Sequence, residues 1–202
     1  FNDQGEMVQP VLDVKSTAST GFVDKVRDQI AQMPDGVKKL LADDRTHIVA
    51  TGMVLDAMPE AAGQQPRGHE EGKTWNDLDG AQNSDTKRII TAERDRNGFS
   101  QRTDGVLKHE TGHAVDRALG GDSSSPEFKA AYDKDIAAMN LDQLAKHKYE
   151  LQEGDAGRSE AFAEVYGAVN GASSNPKETA QTLADYPNVA EYMRKRLNGL
   201  PH

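Results

Sequence analysis

Apolar positions at Phe22, Val23, Val26, Ile30 and Met33 recur at the spacing that lines one face of a helix. Pro34-Asp35-Gly36 interrupts the pattern, and Val37, Leu40 and Leu41 predict a short second helix. The run Thr46 to Thr51 predicts a strand, and Lys87 to Ala92 predicts another, closed by the turn signal Arg96-Asn97-Gly98. Between them, residues 56–86 are rich in Gly, Pro, Asn, Asp and Gln, with Trp75 and Leu78 as large apolar anchors. That composition predicts a long loop, a kind of segment often tied to function. Trp75 reads first as a core anchor and second as one wall of a cleft.

A helix is expected from Thr103-Asp104, either of which can cap it, to the stop at Gly120-Gly121. Ser125-Pro126 opens the next, through Met139. Leu141, Leu144, Ala145 and Tyr149 give a short one, Gly154 to Gly157 breaks it, and Arg158 to about Val169 is helical again. Pro187 opens a last helix through Leu197. Residues 1–19 are polar and read as a tail or linker able to pack an edge, leaving residues 20–202 as a single domain. The expected class is α+β: mainly helical, with a small mixed sheet.

Composition narrows the chemistry. A net charge of -9 argues against non-specific nucleic-acid binding and against adsorption on anionic membranes. No apolar run approaches the roughly 18 residues of a membrane span. With no cysteine, thiolate metal sites are excluded, and any metal must be held by His, Asp or Glu. A first residue other than Met is consistent with removal of a signal, a targeting segment or a larger N-terminal region.

The chemistry centres on Lys108-His109-Glu110-Thr111-Gly112-His113-Ala114-Val115-Asp116. His109 and His113 are four apart, so on a helix both imidazoles project from one face and can bind one zinc ion. Glu110 between them can act on a metal-bound water. Gly112 inside the helix costs about 1 kcal/mol relative to Ala, which implies a packing or site reason for it. A catalytic zinc needs a third protein ligand. His47, His69 and His147 each stand alone in the sequence, whereas Glu160 and Glu164 share one helical face. Like charges one turn apart repel, and a nearby cation offsets them. Glu160 is therefore expected as third ligand and Glu164 as acceptor for a ligand-histidine N–H. Asp116, one turn beyond His113, is expected to orient an imidazole or to pair with Arg117 or another helix. The strand Lys87 to Ala92, with Ile89, Ile90 and Thr91, is the expected edge for pairing an extended substrate.

The segment from His109 to Asp116, followed by Glu160-Ala161-Phe162-Ala163-Glu164, resembles the catalytic domain of anthrax lethal factor and the related bacterial Pro-Pro endopeptidases. The resemblance covers roughly residues 85–170. It implies a zincin-like, gluzincin fold with zinc on His109, His113 and Glu160, Glu110 as general base and Glu164 behind a ligand. It also implies a tyrosine seven residues before the glutamate ligand, stabilising the oxyanion. This chain has Glu153 there, a departure from the pattern; Tyr149 on the same connecting segment is the candidate substitute, and Tyr166 lies on a different face. The implied activity is zinc-dependent hydrolysis of a protein or peptide by a monomeric, secreted toxin or effector, with delivery into a host or target cell as one implied route. The endopeptidase branch implies cleavage near proline. Two other readings stand beside it: a zinc-binding module that has lost catalysis and works through protein interaction, and a zinc hydrolase acting on a small amide.

Overall fold

The computed structural model describes residues 8–66, 69, 71–100, 103–171 and 175–201. Val11–Val14 (β1), His47–Thr51 (β2), Gly80–Asn83 (β3) and Arg88–Ala92 (β4) form a four-stranded sheet in the order β1-β2-β4-β3. β1, β2 and β4 run parallel, and β3 closes one edge antiparallel to β4. Arg94–Asp95 (β5) and Gly98–Phe99 (β6) make a small hairpin around the expected Arg96-Asn97 turn.

The helices are Thr20–Gln32 (α1), Asp35–Asp43 (α2), Val54–Ala57 (α3), Thr103–Ala118 (α4), Pro126–Ala138 (α5), Leu141–Lys146 (α6), Asp155–Val169 (α7), Pro176–Asp185 (α8) and Pro187–Asn198 (α9). Side-chain oxygens start four of them: Ser19 accepts from the Phe22 N–H, Ser125, just before Pro126, from the Phe128 N–H, Asn140 from the Gln143 N–H and Asn175 from the Lys177 N–H. Alternation along the strands divides the core. Ile48, Ala50 and Ile89 face α1, α2, α4, α7 and α9, in a cluster with Val26, Leu41, Leu107, Phe162 and Met193. Val49, Ala81, Ile90 and Ala92 face the other way, against Val54 and Ala57 of α3.

Four sequence expectations change. Part of the expected tail is structural: β1 pairs in register with β2, Val11 opposite His47 through Val14 opposite Ala50. Residues 1–7 lie outside the described residues. Inside the expected long loop is β3, whose Gly-Ala-Gln-Asn sequence lacks the β-branched residues that mark strands. α8 was not expected; its polar sequence PKETAQTLAD buries only Thr182 and Asp185. The fourth change concerns the substrate edge. β4 is paired on both sides, by β2 and by β3, and Ile89, Ile90 and Thr91 are fully buried. They offer no free edge; that edge belongs to β3.

The register of β3 decides which groups it presents. Ala92 donates its N–H to Asp79 C=O, so hydrogen-bonded pairs fall at alternate positions from there, at Ala81 with Ile90 and Asn83 with Arg88. The N–H and C=O groups of Gly80 and Gln82 therefore point outward. Gly80 also sets the seat of α4: a Cβ there would lie 2.5 Å from Val106 Cγ1 and 3.3 Å from Glu110 Cγ.

α4 and α7 are in closer contact still. A Cβ added to Gly112 would lie 2.6 Å from Ala163 Cα and 3.0 Å from Ala163 C=O. Ala161, Ala163 and Ala168 keep the facing helix slim. Beside α7, His147 is held between Asp185 of α8, at 2.9 Å, and Glu150, at 3.6 Å, with its ring edge-on to Tyr186. Glu150 and then Asp185 raise the imidazole pKa against burial. This clamp fixes the segment that enters α7.

Gly112→Ala is expected to separate α4 from α7 and to cost about 1–3 kcal/mol of stability by overpacking, despite alanine's higher helix propensity. Thermal melting and chelator-competition titration of zinc check it; an unchanged melting temperature with unchanged zinc affinity contradicts the close approach as a constraint.

Candidate metal centre

The two helices held together at Gly112 each deliver part of the centre. α4 presents His109 and His113 one turn apart, with ring centroids 4.9 Å apart and planes at 82°. α7 presents Glu160 between them: its Oε2 is 3.3 Å from His109 Nε2 and 3.4 Å from His113 Nε2. The three donor atoms lie within 4.8 Å of one another, and they are the cluster among the described residues able to hold a metal ion.

The fit can be tested on those distances. Zinc bonds of about 2.0–2.2 Å at tetrahedral angles separate neighbouring ligand atoms by about 3.3–3.6 Å. The two carboxylate–imidazole separations match. Glu160 Oε2 is buried and has no hydrogen-bond partner, as an atom reserved for a cation would be. Two imidazoles and a carboxylate, with no sulfur, are the donors of a catalytic zinc with an open fourth position. Zinc fits the site.

The surroundings orient the ligands. His109 Nδ1 faces Glu164 Oε2 at 3.4 Å, and Thr182 of α8 donates to the other oxygen of Glu164. Burial opposes charge on His109, but Glu160 and Glu164 outweigh it and raise its pKa to about 10. Burial likewise opposes charge on Glu160, and the two histidines overcome it, lowering its pKa to about 2. The cluster thus strongly favours a positive charge beside Glu160. Glu110 differs: burial dominates and raises its pKa, although His109 and His113 pull the other way. The Gln82 backbone N–H of the β3 edge faces this carboxylate. A carboxylate with raised proton affinity at the mouth of a metal site is suited to general-base work.

Most of the expected site residues come together: His109, His113 and Glu160 at the centre, Glu164 behind His109 and Glu110 beside the free edge of β3. Asp116 is also at the site, but not in direct contact with an imidazole. It accepts from Ser123 N–H and Ser123 Oγ, both at 2.7 Å, and reaches His113 through Ser159. Arg117, its expected partner, pairs with Asp44. Ser159, directly before Glu160, was missed; a serine within a helix gives no signal until the facing helix is known. The β3 edge was missed for the lack of strand formers. The lone histidines are engaged elsewhere: His47 with Asp13, His147 with Asp185, and His69 with the ring of Tyr149 at 5.9 Å. Tyr149 is exposed in the turn before α7, and Glu153 is exposed near the start of that helix.

Comparison with known proteins agrees with this geometry. No curated protein sequence matches the chain. Among solved structures, the fold is similar to that of the Pro-Pro endopeptidase PPEP-2 from Paenibacillus alvei, with 21% identity, a TM-score of 0.67, and coverage of 92% of this chain and 97% of that one. The family model described as anthrax toxin lethal factor, N- and C-terminal domain, matches residues 7–195. With nearly its whole length matched, the chain belongs to the anthrax toxin lethal factor family.

Proposed function

We propose that the protein is a zinc-dependent endopeptidase. The observation that carries this reading is the convergence of His109, His113 and Glu160 at zinc-ligand spacing, with Glu110 beside an unpaired strand edge. Zinc held by His109, His113 and Glu160 would supply a Lewis acid for the scissile carbonyl and for an attacking water. Glu110 takes the proton of the attacking water and passes it to the leaving amine. Gly80 and Gln82 turn N–H and C=O groups outward, the Gln82 N–H towards Glu110, and an extended peptide that pairs with this edge lies across Glu110. Glu164 holds His109 in orientation. We assign the oxyanion contact to Tyr149, the tyrosine of the segment entering α7. The toxin for which the family is named, and the fold shared with a Pro-Pro endopeptidase, support a secreted effector acting on an extended segment of another protein.

The exposed Glu153 favours one second reading: a zinc-binding module without catalysis. Digestion of a broad peptide library, read by mass spectrometry with and without a chelator, separates the two; tight zinc binding with no cleavage selects the module.

Glu110→Gln is expected to keep zinc and lose about 10²–10⁴-fold in kcat, whereas Glu160→Ala loses the metal, as read by chelator competition. Full turnover in the Glu110 variant removes the base assignment. Tyr149→Phe is expected to cost about 10²-fold or more in kcat with KM little changed; steady-state kinetics at parent rates transfers the oxyanion contact to another group. Gln82→Pro deletes one outward N–H, the one that faces Glu110, at a position where an edge strand tolerates proline. Its KM should rise roughly two- to tenfold over that of Gln82→Ala, and equal KM values for the two variants rule out pairing at this edge.

A further inference from the structure

We propose that Ser159 is a positioning residue for His113, linking that imidazole to the buried carboxylate of Asp116. This rests on the zinc reading of His109, His113 and Glu160. His113 turns Nε2 towards Glu160, so a metal at the centre needs that nitrogen's lone pair and leaves the ring proton on Nδ1. Nδ1 lies 3.2 Å from Ser159 Oγ, and Ser159 Oγ lies 3.4 Å from Asp116 Oδ2. A hydroxyl can accept and donate at once, so it passes the orienting influence of a carboxylate to a ring that the carboxylate does not touch. Both contacts are long for hydrogen bonds. A dication on Nε2 acidifies the Nδ1–H and strengthens the first of them.

A second observation comes from Asp116 itself. It is buried, 6% exposed, and no Lys or Arg among the described residues pairs with it. Ser123 satisfies its oxygens through a backbone N–H and a hydroxyl, but neither is a charge. A buried carboxylate without a cation is costly. The positive centre on the far side of Ser159 is the charge that offsets it. Ser159 also has a local alternative, since a helix serine often bonds back to the carbonyl four residues earlier; here its hydroxyl spans the gap to α4 instead. The two ligand histidines are therefore held unequally. His109 meets the Glu164 carboxylate directly, and His113 meets Asp116 through a neutral hydroxyl.

The test uses metal binding by the purified full chain. Ser159→Ala is expected to weaken zinc about 10- to 100-fold in chelator competition, to shift the visible absorption of the cobalt-substituted protein, and to leave the metal-free melting temperature unchanged. Ser159→Thr, which keeps the hydroxyl, restores most of the affinity. Asp116→Asn weakens zinc in the parent but adds little in the Ser159→Ala background. Parent-like zinc affinity and cobalt spectrum in Ser159→Ala overturn the proposal, as does full additivity of the two substitutions. Failure of the parent to bind zinc overturns the metal reading instead.

Discussion

Everything at the centre depends on how near α7 can come to α4. The two histidines and the glutamate sit on different helices, so their spacing is the interhelical distance expressed through side chains. Gly112 sets that distance, because any side chain there would enter the backbone of Ala163. A metal site of this kind tolerates little drift: a shift of a few tenths of an ångström between the helices moves Glu160 by the same amount against bond lengths that vary by only about 0.2 Å. The helix-propensity cost of one glycine is small beside that requirement. The alanines of α7 serve the same end from the other side.

Behind this contact the polar groups form two separate supports. One runs from His109 through Glu164 to Thr182 on α8. The other runs from His113 through Ser159 and Asp116 to Ser123, in the turn after α4. The residue beside Ser123 extends the second support: Asp122 accepts from Tyr192 and Arg196, both on α9. The C-terminal helices thus support His109 and His113 through polar contacts as well as through the apolar core that Met193 and Val189 share with Phe162.

The sequence was most legible where chemistry and periodicity coincide. His109, Glu110 and His113 announce both a helix and its use, and the pair Glu160 and Glu164 is conspicuous because two acids on one helical face need a cation. What stayed hidden depends on partners distant in sequence. Gly80–Asn83 becomes a strand because β4 supplies its ladder and α4 its cover, not because its residues favour extension. α8 is polar nearly throughout, and is held by contacts to α7 and by Asp185 rather than by a broad apolar face. The misplaced substrate edge has the same origin: Lys87 to Ala92 has the composition of a good strand, and good strands tend to be central ones, covered on both edges.

The free edge of β3 is short, and this limits what can be held against it. Two residues, Gly80 and Gln82, turn their backbone groups outward, enough for a few ladder bonds and no more. A peptide must already be extended to use them, since a helix has its own N–H and C=O groups committed. On the proposed use of this edge, a target is selected first for local extension and only then for side chains.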